Sequence, residues 1–162
     1  MIRRPIATAI ATVSLLLGAL APAHAENLMA GSWTIVKAEP APWADGKDYQ
    51  ADRQDVPLFV GKKVVFTEQR IDGPNLLGCE HPNYRMVDFD PPGLFQGTLQ
   101  EFEEGGGEKA ETVATRIGFS ARPIKTLVTD CMHSIDYHMS DANHAAFMLN
   151  NVIYWLARDG TP

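Results

Sequence analysis

Two adjacent asparagines constrain this fold more than any other feature of the sequence. Asn150-Asn151 separates Ala145–Leu149 from Val152–Arg158. Both flanking runs are rich in apolar and aromatic residues, and asparagine tolerates the positive φ that a two-residue hairpin turn requires. Upstream the alternation predicts a long strand over Thr126–Met139 and then a loop over Ser140–Asn143. The three strands form an antiparallel meander, with Leu149 opposite Val152 and Met139 opposite His144. That register places Ile135, Tyr137, Ala146, Met148, Ile153 and Trp155 on one face. Met132, Ser134, Asp136, His138, Phe147, Tyr154 and Arg158 take the other. The first face is the more apolar and is expected to line the core, with a helix covering part of the second.

The rest of the chain shows the same alternation. Gly31–Ala38 reads as a first strand, interrupted by the irregular segment Pro40, Pro42, Trp43, Asp45 and Gly46. Lys62–Thr67 and Arg70-Ile71 follow, ended by the turn Asp72-Gly73-Pro74. Tyr84–Phe89 and Leu94–Leu99 are further strand expectations, and Gly105-Gly106-Gly107 is a loop. Helical spacing appears once. Ala110, Val113, Ala114 and Ile117 recur at i, i+3, i+4 and i+7, with Gly118 placed to end the helix. The predicted fold is mainly β, a small antiparallel barrel of about eight strands with one short helix.

The N-terminus predicts where such a domain works. Arg3 and Arg4 precede an apolar run, Ile6–Leu20, and Ala23-His24-Ala25 has the small residues of a cleavage site. Residues 1–25 are expected to be a Sec-type signal peptide, leaving a single domain over 26–162 in the periplasm or outside the cell. No cysteine stands near Ala25 to carry a lipid, and no later apolar stretch is long enough to insert in a membrane. The signal contains two of the 14 basic residues and none of the 20 acidic ones, so the mature chain carries twelve against 20, a charge of −8. That excess disfavours nucleic acid and anionic membranes and favours solubility or a basic partner. A monomer is expected.

Cys79 and Cys131 are the two cysteines of the sequence. In an exported chain such a pair reads as a disulfide, here closing a loop of roughly 50 residues and contributing about 4 kcal/mol by the chain-entropy argument. Metal ligation and redox chemistry are the alternatives, the latter lacking a Cys-x-x-Cys.

Gly31, Trp33 and Arg158 resemble the signature of lipocalin-like (calycin) β-barrels, a Gly-x-Trp in the first strand and an arginine in the last. The resemblance implies that Trp33 closes one barrel end and that Arg158 packs across it. Lys37–Trp43, Gly61–Phe66, Leu94–Gly97 and Phe147–Tyr154 also resemble runs in a group of small exported bacterial proteins. That likeness implies export and a single domain, and no activity.

The constellations that could carry chemistry point mostly to absences. Cys79-Glu80-His81 and Cys131-Met132-His133 repeat a Cys-x-His, but on facing antiparallel strands the two imidazoles fall roughly 13 Å apart, too far for one tetrahedral zinc. Ser134, Asp136 and His138 share a face and the residue types of a hydrolase triad. Along one strand Ser134 and His138 are again about 13 Å apart, beyond nucleophile–base contact. No metal, cofactor or catalytic residue is expected. Function is expected to be non-catalytic binding, of a small apolar ligand in a barrel lined by Ile135, Tyr137, Met148 and Trp155, or of a protein partner. Trp43, held between prolines and turn residues, is the expected partner contact. Two alternatives remain: an acidic inhibitor of a basic cell-wall hydrolase of the lysozyme type, and a periplasmic metal-binding protein.

Overall fold

The computed structural model describes residues 28–44, 50–131 and 133–160. The expected signal segment and the Asp45-Gly46 part of the irregular segment lie outside them, as does Met132.

Among the described residues, nine strands form one antiparallel sheet. In chain order they are β1 (Gly31–Pro40), β2 (Lys63–Phe66), β3 (Arg70–Asp72), β4 (Cys79–Glu80), β5 (Arg85–Phe89), β6 (Ile124–Val128), β7 (Tyr137–Met139), β8 (His144–Leu149) and β9 (Val152–Arg158). Three short helices accompany them, α1 (Val56–Phe59), α2 (Thr98–Glu104) and α3 (Ala110–Arg116). The sheet order β4-β3-β2-β1-β9-β8-β7-β6-β5 joins two meanders through the first and last strands.

Curling is visible in one contact. Phe66 on β2 and Tyr137 on β7 meet edge to face at 5.0 Å, although four strand steps of ~4.8 Å would separate them in a flat sheet. The result is a barrel-like half-shell. Trp33, Phe59, Phe66, Tyr137, Phe147 and Tyr154 fill its concave side.

The shell stays open for a topological reason. Counting alternate directions from β1 makes β4 and β5 run the same way. Only residues 81–84 join them, whereas parallel neighbours need a crossover of about a dozen residues. A disulfide spans the gap instead. Cys79 on β4 is bonded to Cys131, just beyond β6, with Cα atoms 5.9 Å apart. Asn83 N–H also donates to Asp130 Oδ1 across the seam at 2.8 Å.

Three local expectations are corrected. Thr126–Met139 is not one strand but two, β6 and β7, which pair with each other through Thr126 opposite His138. Leu94–Leu99 is not a strand. Phe95, Gln96 and Gly97 all take positive φ, 53°, 57° and 83°, and turn the chain directly into α2. The β7–β8 register is shifted by one residue, with Met139 opposite Ala145. The Asp141 carboxylate causes the shift by accepting the N–H groups of Asn143 and His144 at 2.7 and 2.9 Å. This tightens the loop so that Ser140 N–H already reaches His144 O.

A one-residue shift exchanges faces. Tyr137 therefore points inward with Phe147 and Tyr154, and His138 points outward with Ala146 and Trp155. The second apolar layer lies on this outer face. Segment 91–119, with α2 and α3, covers it through Leu94, Phe95, Leu99, Val113, Ala114 and Phe119.

Candidate functional site

The residues expected to line one ligand cavity are divided between the two layers. Ile135 and Tyr137 belong to the concave layer, at 6% and 1% exposure. Met148 and Trp155 are half-buried on the outer face against the cover. The concave side is occupied by stacked and edge-on rings: Phe147 on Tyr154 at 5.0 Å, Tyr154 on Phe59 at 5.3 Å, Tyr137 on Phe147 at 5.6 Å. The Tyr154 hydroxyl there has no hydrogen-bond partner among the described residues, and burial, with Asp55 and Asp52 nearby, pushes its pKa up to about 12.

Trp43 is also placed differently from its expectation. It is buried, at 3% exposure, against the rings of Phe95 and Phe102 at 6.0 and 6.2 Å. Its indole N–H donates to Asn151 Oδ1 at 3.2 Å. The ring lies on the cover, not in solvent, so it is not an exposed docking residue.

At the barrel end, Trp33 and Arg158 sit opposite each other in the β1–β9 ladder. The guanidinium carbon lies 4.2 Å from the centre of the fully buried Trp33 ring. Gly31, at φ 111°, passes beside Arg158 Nη1.

A cleft opens where β1 and β9 meet the end of α3. A β-bulge at Val36 creates it. Before the bulge, Trp33 and Ile35 face inward; after it the register advances by one and Lys37 pairs with Trp155, Glu39 with Ile153. Without the extra residue Lys37 and Glu39 would point into the shell. Buried Ile153 forms the floor, Pro40 and Pro42 one side, and Arg116, Ile117 and Gly118 the other, around about 370 Å³. Gly118 is required there. Its φ is 110°, and a Cβ would stand 3.3 Å from the Trp155 ring, which itself stacks on Phe119 at 5.5 Å. Both Glu39 oxygens are engaged, by Lys37 Nζ at 2.6 Å and by the Trp155 indole N–H at 3.0 Å. Arg116 pairs with Glu108 at 2.6 Å but keeps half its side chain in solvent. The cleft thus offers an apolar floor, a fixed carboxylate and two cationic side chains at its rim. A second hollow, of about 510 Å³, lies between the β2–β3 turn (Thr67, Glu68, Gln69) and the end of β4 (Glu80, His81), but every residue lining it is exposed.

The chain matches no family model, no curated protein and no solved structure.

His138 was legible as a residue type but not as a site. It is completely buried, and burial alone pulls its pKa down to about 3. Nε2 accepts the Phe95 N–H at 2.9 Å, so the neutral ring carries its proton on Nδ1 and donates it to Thr126 Oγ1, also at 2.9 Å. With both nitrogens engaged, the ring is not placed to serve Ser134, which is exposed in the β6–β7 connection. Asp136 is half-buried, its pKa raised by burial against the opposing effects of a Gln96 hydrogen bond and the Arg85 charge. Cys79 and Cys131 have no thiolate to give a metal, since both sulfurs are in the disulfide. Among the described residues no three His, Cys, Asp or Glu side chains cluster as metal ligands.

Proposed function

We propose that this chain is an exported, non-catalytic binding protein, lipocalin-like in its barrel closure, whose ligand site is the outer cleft and not the barrel interior. One observation carries the reading. The only strand irregularity of β1, the Val36 bulge, turns Lys37 and Glu39 out of the shell and beside Trp155, above a buried apolar floor. Bulges that re-aim side chains in this way are common next to active sites, and a cleft of this size, with three charged side chains around an apolar floor, is large enough for a small molecule. The ligand class is a small apolar molecule bearing an acidic group, with its apolar body on Ile153 and Ile117 and its charge near Lys37 and Arg116. The packed rings of the concave side favour the cleft over the interior. The burial of Trp43 favours a small molecule over a protein docked on that tryptophan. The disulfide supports an oxidising compartment.

Titration with 8-anilinonaphthalene-1-sulfonate, an apolar aromatic anion, tests the proposal. One saturable site is expected, weakened at least tenfold when Lys37→Glu and Arg116→Glu are combined. Saturable binding indifferent to both changes would move the site elsewhere. Failure of this probe and of a panel of fatty and aromatic acids to saturate would end the small-ligand reading.

A further inference from the structure

The cover over the outer face is attached to the sheet in an unusual way. Among the described residues, no backbone hydrogen bond joins 91–119 to a strand, and the backbone bonds within it are its own turns and helices. Its docking is apolar, through Phe95, Leu99, Val113 and Phe119. Arg122, just before β6, bonds Glu111, Thr115 and the Phe119 carbonyl at the end where the segment runs into the sheet. Among the described residues, two further residues of the cover carry polar ties to β7 and the β6–β7 connection. The Gln96 amide donates to Ser134 O at 3.3 Å on the exposed surface and bonds Asp136. The other tie is fully buried, from Phe95 N–H to His138 Nε2. It holds the first of three consecutive left-handed residues, Phe95, Gln96 and Gly97, a conformation that costs a non-glycine residue energy unless its surroundings enforce it.

We propose that His138 is an acid-sensitive latch: neutral, it holds segment 91–119 on the sheet, and protonated, it releases that segment as a unit while the sheet stays folded. The chemistry is a single proton taken from solvent. Protonation of Nε2 consumes the lone pair that accepts the Phe95 N–H, and it leaves two N–H groups facing each other in an apolar site. Among the described residues packed on the ring, none can compensate the charge. The ring faces Thr126 from β6, Phe89 from β5, Ala146 from β8, and Phe95 and Phe119 from the cover. None of these is ionisable. Asp136, the nearest carboxylate in sequence, is occupied by Gln96 and lies in the field of Arg85.

A released histidine regains its ordinary value near 6.5, whereas the latched one sits at about 3. Between these limits the released population therefore rises about tenfold per pH unit, about a hundredfold by pH 4.5. Release carries away Arg116, Ile117 and Gly118, one side of the cleft. That consequence for a ligand rests on the binding reading; the latch itself does not.

Amide hydrogen exchange on the whole exported chain, corrected for the intrinsic effect of pH, tests the latch without any ligand. Protection across 94–119 should fall about fiftyfold between pH 6.5 and 4.5 while the β1, β8 and β9 amides keep theirs. In His138→Gln, whose side-chain carbonyl can still accept the Phe95 N–H, the pH dependence should vanish. Loss of protection in cover and sheet together, or an unchanged fall in the glutamine variant, would overturn the proposal. Should that variant not fold, ¹⁵N imidazole spectra of the unmodified protein decide. The proton is expected on Nδ1 at pH 7, and a ring that titrates near 6.5 with the cover still protected would refute the latch.

Discussion

Arg158 lies flat over Trp33 because the two residues are register partners. Trp33 on β1 and Arg158 on β9 face each other across the ladder and so share the inner face of the sheet. The guanidinium meets the ring at 4.2 Å, and its N–H groups reach the carbonyls of Leu28, Ala30 and Ala142 at 2.5, 2.9 and 3.3 Å. The Trp33 indole N–H returns a bond to Met29 O at 2.8 Å. One pair thus joins the first strand, the last strand and the chain entering β1.

Truncating this pair should be costly and unequal. Trp33→Ala removes a fully buried aromatic and should destabilise by about 3–5 kcal/mol. Arg158→Ala loses the stacked contact and should cost about 1–2 kcal/mol. Arg158→Lys should recover little of it, because an ammonium cannot lie flat on the ring and fork to three carbonyls. Urea denaturation of the three variants measures all of these differences.

The disulfide closes a seam that strand pairing cannot close. Cys131→Ser should cost about 2–4 kcal/mol, and limited proteolysis should then cut first within residues 81–84, between β4 and β5. Cleavage appearing first in the β8–β9 turn would show that the seam is not the weak line.

Gly118→Ala should destabilise by about 1 kcal/mol from its positive φ, with a further loss because the new methyl stands against the Trp155 ring. The same variant should shift the Trp155 indole resonance while leaving that of Trp33 unchanged.

Acid stability should carry the imprint of His138. Its folded pKa, about 3, lies below the unfolded 6.5, so the unfolded state binds the extra proton. The contribution is present above pH 6.5 and is lost as pH falls toward 3, at about 1.4 kcal/mol per pH unit. Asp136 acts in the opposite sense, since burial raises its pKa and its protonated form favours the folded state in acid. Net stability should still fall between pH 6.5 and 4.5, and the fall should be shallower in His138→Gln, as measured by denaturation across that range.

What the sequence makes legible here is local. Asn150 and Asn151 do take positive φ, 53° and 58°, because a two-residue hairpin demands it of whatever side chains are present. Ala110, Val113 and Ala114 are buried at helical spacing. The pairing of Cys79 with Cys131 follows from there being no other cysteine. Misreadings arise where distant groups decide. Leu94–Leu99 alternates like a strand, but the turn at Phe95 is held by His138, 43 positions away. Thr126–Met139 keeps its apolar phase across a connection that is not a strand, so the break between β6 and β7 leaves no mark on the pattern. Asp141 changes the β7–β8 register with a side chain that reads only as a loop residue, and the faces of Tyr137 and His138 exchange with it. Trp43 looks exposed among prolines until Phe95, Phe102 and Asn151 arrive from elsewhere in the chain.

The proposed ligand site is the outer cleft and not the barrel interior. Trp33, Trp43 and Trp155 report on three separate places, so indole ¹H–¹⁵N spectra recorded as 8-anilinonaphthalene-1-sulfonate is added at pH 7 distinguish the two locations. The Trp155 resonance should move to saturation, together with the amides of Lys37 and Ile117, while Trp33 and the amides of Tyr137 and Phe147 stay in place. Movement of Trp33, Tyr137 and Phe147 with Trp155 unchanged would refute the cleft and return the site to the barrel interior.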